Sequence, residues 1–217
     1  MCWSATADLV AGTAVSAVGV VCVAQAARCP RDLPMAALVL LLGIHQIIES
    51  VVWRGDGGTG AATTAWALIA LPLLPLWLPV AVLCAAPPTA RRRLLLPLAA
   101  GVATSAVLTY YLATRTVTAD IRGHTVGYGF GLPHPAPVVA GYLVATIGSL
   151  LLSGDRGLIL YGVLAAVGAA VSVALWRQEY LSTWCALAAL SSVVLLRWVR
   201  RRRPPARRPS GQGLQAA

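Results

Sequence analysis

The sequence predicts an all-α membrane protein: a seven-transmembrane-helix bundle with its N-terminus outside and C-terminus cytoplasmic, and a small outer β-hairpin between spans four and five. Three observations predict it. Apolar residues make up 58% of the chain and charged ones 11%, against about a quarter charged in soluble domains. Seven apolar stretches recur within 217 residues, most of them close to the about 20 residues that cross a hydrocarbon core. Arginines crowd every second connector and are sparse in the others.

Span one runs from Asp8 to Ala27. No basic residue precedes it and no convincing cleavage site follows, so it is expected to be retained rather than removed as a signal peptide. Gly12, Ser16 and Gly19 give it a small face for close helix packing. Span two is Met35 to Trp53, and span three is Ala62 to Cys84. Pro72, Pro75 and Pro79 in span three each remove a backbone donor. A kink whose freed carbonyls are met by neighbouring helices is expected, in preference to a broken, substrate-exposing helix.

Span four is Leu94 to Ala113. The connector after it, Thr114 to Pro137, is long enough to need structure of its own. Val117, Ala119 and Ile121 alternate with polar neighbours, Arg122 and Gly123 can turn the chain, and His124, Val126, Tyr128 and Phe130 alternate again. That pattern predicts a hairpin with His124 on the aromatic face of its second strand. Span five, Val138 to Leu152, is the shortest, and six spans with a re-entrant fifth segment is the alternative count. Span six, Leu158 to Trp176, has a broad small face from Gly162, Ala165, Ala166, Ala169 and Ser172, read as a packing seam. Span seven is Leu181 to Val199. Residues 1–203 form one membrane domain, and residues 204–217, poor in large apolar groups, are expected to be a disordered cytoplasmic tail.

The arginines decide the orientation. Arg28, Arg31, Arg91 to Arg93, Arg156, Arg197, Arg200 to Arg203, Arg207 and Arg208 follow the odd-numbered spans, thirteen of seventeen basic residues. Basic residues near helix ends stay on the cytoplasmic face. A charge of +10 could signal nucleic acid, but the excess abuts the bilayer, where anionic headgroups account for it. The partner is a lipid bilayer, with no nucleic acid expected. Seventeen arginines and no lysine, with abundant Ala, Gly and Pro, point to a GC-rich bacterial genome and hence a plasma membrane.

His45 and Glu49, four apart in the apolar run of span two, share one helical face near the outer interface, with Gln46 and Ser50 flanking them. A carboxylate inside a span is costly unless paired or wetted, which makes such residues functional candidates. The structural reading is a His45 to Glu49 hydrogen bond, joined by Ser105, Thr109 or Tyr110 of span four, that fixes helix register. The functional reading is an outer polar cluster to which Cys2, Ser4, His124, Glu179, Ser182 and Cys185 are added by their predicted side of the membrane. Within it, His45, Glu49 and His124 have the ligand chemistry of a zinc site with an open position, Glu179 serving as base or fourth ligand. His134, between two prolines, is expected to be an interfacial residue. The five cysteines form no metal or redox motif, although Cys2 and Cys185 share the outer side, where a disulfide can persist.

The opening Met-Cys-Trp-Ser-Ala-Thr-Ala-Asp, the segment His45-Gln46-Ile47-Ile48-Glu49 and the run Ser182-Thr183-Trp184-Cys185 resemble an uncharacterised family of actinobacterial integral membrane proteins over nearly the whole chain. The resemblance implies seven helices and no assigned activity; relatives open Met-Cys-Phe-Ser where this chain has Trp3. In topology alone the chain is also similar to the alkaline ceramidase superfamily of metal-dependent membrane hydrolases. Their His-x-x-x-His pair in the last span is missing here. Three functional readings follow in order: a non-enzymatic sensor or accessory protein, a metal-dependent membrane hydrolase acting on a lipid-like substrate, and a transporter using span three and Glu49.

Overall fold

The computed structural model describes residues 4–129, 131–175 and 180–202. The tail from residue 204 and the residues Cys2, Phe130, Arg177 and Glu179 lie outside the described residues. Among the described residues the fold is helical with one two-stranded sheet, and six helical stretches are long and apolar enough to cross a membrane. A shorter apolar helical stretch, Pro135–Leu151, lies between the fourth and fifth of them.

α1 (Ala5–Ala26) starts where the Ser4 hydroxyl accepts the Ala7 N–H at 3.2 Å, an N-cap that meets one of the helix's free donors. α2 (Leu33–Arg54) runs antiparallel to it, and the seam between them is tight because it is lined by small residues. A Cβ added to Gly12 would come within 2.8 Å of Ile47, one on Gly19 within 2.5 Å of the Leu40 backbone, and one on Gly43 would run into Ser16. The small face expected on span one is therefore this seam.

Span three folds as α3 (Ala61–Leu68), a π-helical turn over Ile69–Leu73, and α4 (Leu74–Ala85). The Leu74 N–H reaches back five residues to the Ile69 carbonyl, so the next donor in that register would belong to Pro75, which has none. The Ala70 carbonyl so freed accepts the Tyr142 hydroxyl at 2.6 Å from a neighbouring helix. This is the expected kink, relieved from outside. Lower in the same span, the Trp77 indole donates to the Pro34 carbonyl at 3.0 Å and holds α4 against α2.

α5 (Arg91–Thr114) leads to the hairpin, β1 (Thr118–Arg122) and β2 (Thr125–Gly129), paired in antiparallel register with Ala119 opposite Tyr128 and Arg122 opposite Thr125. The turn is Gly123-His124, not Arg122-Gly123. Gly123 has φ +61°, suiting the first place of a two-residue hairpin turn, and a side chain there would be strained. Gly58, in the connector after α2, exchanges backbone hydrogen bonds with Ala119 at 2.8 and 3.0 Å. This ties the hairpin to the end of the bundle where α2 finishes.

After the hairpin come α6 (Pro135–Leu143), a second π-helical turn over Val144–Gly148 and α7 (Ser149–Leu151). α8 (Arg156–Leu175), α9 (Tyr180–Ser191) and α10 (Val193–Arg201) follow. At the end of the bundle where α2 begins, Arg202 gathers three connectors. Its guanidinium donates to Asp32 Oδ1 at 2.7 Å, to the Ala85 carbonyl at 3.0 Å and to Asp155 Oδ2 at 3.4 Å, and it lies over the Trp198 ring. Two ends are thus pinned, one by the hairpin and one by this clasp, separated by the length of α2, about 33 Å at 1.5 Å per residue.

Apolar side chains also cover the outward faces: Val10, Val20, Leu95, Leu96, Val102 and Val167 are all more than half exposed. A helix surface of that composition suits a hydrocarbon solvent and not water.

Candidate functional site

α2 is the most enclosed of the long apolar helices, and at its hairpin-side half it carries four polar residues, His45, Gln46, Glu49 and Ser50, each no more than 1% exposed. His45 and Glu49 face α3. The Trp66 indole N–H donates to Glu49 Oε2 at 3.4 Å, and the Trp66 ring lies 4.8 Å from the His45 imidazole. Tyr128 of β2 stacks on the other face of this region, its ring nearly parallel to Trp66 at 3.5 Å. A chain of ring contacts therefore runs from the hairpin to the imidazole inside the bundle.

On the flank of α2 that faces α1, the antiparallel seam pairs Gly12 with Ile47 and Gly19 with Leu40. One more turn along that register sets Asp8 level with Ser50 and Trp53. Asp8 is fully buried, and its carboxylate faces the Trp53 indole N–H without closing a hydrogen bond. Neither nitrogen of His45 and neither terminal atom of Gln46 has a hydrogen-bond partner among the described residues. Buried polar atoms are ordinarily satisfied, so this group has bonding capacity in reserve for a proton, water or a polar ligand.

The structure places the predicted site residues unevenly. His45 and Glu49 both meet Trp66, which takes the role expected of span four, but the expected His45 to Glu49 hydrogen bond is not made; Tyr110 is exposed and pairs edge-on with Tyr111. His124 is not brought to them. The turn sits one residue later than the pattern implies, so His124 is exposed at the hairpin tip and Tyr128 is the residue that reaches inward. Among the described residues no three His, Cys, Asp or Glu are placed to hold a metal, so the trio His45, Glu49 and His124 is not assembled. Ser4 is the exposed cap of α1. Cys185 is a buried free thiol beside Leu38, Leu42 and Tyr161. Ser182 lies in the first turn of α9, and its side chain, with Cys2 and Glu179, lies outside the described residues.

Asp8 and Trp66 are the site residues that sequence reasoning missed. The rule that singles out Glu49 applies equally to Asp8, an acidic residue leading into an apolar run, but its place in a first helical turn reads as a boundary.

Next to the cluster is a cavity of about 740 Å³, lined by Val126 and Tyr128 of β2, Val139 and Tyr142 of α6, Ala169 of α8 and Trp184 of α9. Tyr128 belongs to both, lining the cavity and stacking on Trp66. The face of span six read as a seam is only partly one. Gly162 packs against Leu150, whereas Ala166 and Ala169 form cavity wall.

Residues 1–210 match the model of DUF6629, a family of unknown function. No curated protein and no solved structure matches the chain.

Proposed function

The chain belongs to that family, whose membership carries no activity, and we propose from its own residues that it is a non-enzymatic sensor or accessory protein of a bacterial plasma membrane. It crosses the bilayer seven times with the amino terminus outside, and its buried polar cluster reports on the state of the outer hairpin. The observation that carries this reading is the continuous contact from Tyr128 through Trp66 to His45 and Glu49.

The count of seven is supported by the two pinned ends. The hairpin precedes Pro135–Leu151 and Asp155 follows it, yet the hairpin is bonded to Gly58 at one end of α2 and Asp155 to Arg202 at the other. This arrangement supports a crossing by the short stretch, its length notwithstanding. The orientation is supported by the arginine excess at the clasp end. The arginine-only basic complement, and the resemblance in sequence, support an actinobacterial membrane.

A metal-dependent hydrolase would need a third ligand beside His45 and Glu49, and His124 does not supply it from the hairpin tip. Zinc analysis of protein purified without chelator addresses that reading directly. The sensor reading is tested by hydrogen exchange over residues 118–129 in a His45→Ala, Glu49→Gln double variant that keeps its helical content. Faster exchange in the hairpin supports communication along the stack. Unchanged exchange in a folded variant would leave the cluster a packing device and remove the sensor reading.

A further inference from the structure

The cavity beside Tyr128 has the dimensions and chemistry of a lipid-chain slot. It extends along the helix axis from Gly131 and Pro135 at the hairpin end down to Ile147, twelve helical residues or about 18 Å. One leaflet of hydrocarbon is about 15 Å deep. The walls are aliphatic and aromatic throughout that depth, and the room is made by Ala166, Ala169 and Ala170 of α8, where larger side chains would have closed it. Its volume lies in the range of about 300–1,000 Å³ typical of ligand sites, far above the chance voids of a packed interior. Water is a poor tenant for such walls, since it needs two or more polar partners.

The hairpin end of the cavity has a charge beside it. Arg115 donates through Nη1 to the carbonyl of Gly131, a residue that lines the cavity, and its guanidinium is held over the Tyr111 ring at 4.9 Å. It has no carboxylate partner among the described residues and is exposed. A guanidinium fixed beside the hairpin end of an apolar slot is complementary to a phosphate ester joined to an alkyl chain.

We infer that this slot binds one acyl chain of an anionic phospholipid from the outer leaflet, with the headgroup phosphate at Arg115. The outer leaflet is specified by the orientation proposed above. Because Tyr128 forms part of the wall, chain occupancy bears on the same ring that stacks on Trp66, and the lipid is then what the polar cluster senses.

The test is native mass spectrometry of the full chain released from nanodiscs containing equal phosphatidylglycerol and phosphatidylcholine. The expected result is one retained phospholipid per chain, enriched in phosphatidylglycerol. Ala169→Phe, which fills the slot, should lower retention about tenfold, and Ala166→Leu repeats the test with a milder change if the first variant fails to fold. Arg115→Gln should keep the lipid and lower the preference for phosphatidylglycerol about fivefold. Retention unaffected by both slot-filling variants, no retained lipid in the parent protein, or a second copy of the chain in place of lipid would each overturn the inference. The outcome is separable from the sensor reading: lipid can be bound with no change in hairpin exchange, and hairpin exchange can respond to the double variant with no lipid bound. It is separable from orientation too, since tags report the side of the membrane independently of occupancy.

Discussion

The indole of Trp66 and the phenol ring of Tyr128 lie 3.5 Å apart with planes only 4° from parallel, so a residue of the hairpin is stacked on one that is wholly buried between helices. The hairpin is thereby fastened to the bundle at two places, by this stack and by the backbone pairing of Ala119 with Gly58.

Tyr128→Ala should loosen the hairpin, and Tyr128→Phe should not. An aromatic pair contributes about 0.5–1.5 kcal/mol beyond its buried area, and at this chain length each kcal/mol moves the midpoint by about 2–4 °C. Thermal unfolding in detergent, with hydrogen exchange over residues 118–129, checks it. Equal behaviour of the alanine and phenylalanine variants would mean that the stack holds nothing.

Tyr142→Phe removes the donor that serves the Ala70 carbonyl freed by Pro75. The expected cost is about 1–3 kcal/mol, the desolvation penalty of one buried unsatisfied group. Pro75→Ala supplies a backbone N–H one turn along, so the same tyrosine change should cost less in that background. A double-mutant cycle on thermal stability measures the coupling, and strict additivity would refute the link.

At the opposite end, Arg202→Gln leaves the almost fully buried Asp32 without its cation. Losing one partner of a buried pair costs about 3–5 kcal/mol, and the lower part of that range applies because the arginine side chain is 30% exposed. Asp32→Asn combined with Arg202→Gln should be milder than Arg202→Gln alone, since the buried position 32 no longer carries a charge and only the more exposed Asp155 is left without its cation. Denaturation midpoints of the three variants decide it.

Cys29 stands at the same end, outside the apolar helices, where burial and then the neighbouring Asp32 carboxylate push its thiol above the usual range. The thiolate fraction is correspondingly small near neutrality. In a Cys2→Ser, Cys84→Ala background, maleimide should label Cys29 slowly at pH 7.5 and faster as pH rises in permeabilised membranes, while in intact cells an impermeant maleimide should miss Cys29 and label His124→Cys. Labelling of both positions from outside would reverse the topology argument.

The long apolar helices are legible in the sequence because hydropathy over about 20 residues is a direct physical constraint on a helix suited to hydrocarbon. The hairpin is legible from its alternation. His124 is lost by a slip of one residue in the turn: a period-two pattern identifies a strand but leaves its ends loose, and Gly123 takes the first turn position because only there is its left-handed φ needed. Asp8 joins the cluster through the register of two helices, which is set by glycines meeting backbone across the seam and not by any local pattern. Trp66 is one of seven tryptophans, and an indole in an apolar span is as suited to lipid as to a carboxylate. Helix existence is a one-dimensional property; the neighbours of Glu49 are not.

Arg202 touches Asp32 across 170 residues of chain. During synthesis the first two helices enter the membrane long before the guanidinium that closes their connector has left the ribosome, and loop-closure entropy makes so distant a contact late in any case. The early helices must therefore wait as a glycine-zipped pair, and a chain interrupted before Arg202 should keep that pair yet stay open at the end where α2 begins, a substrate for quality control.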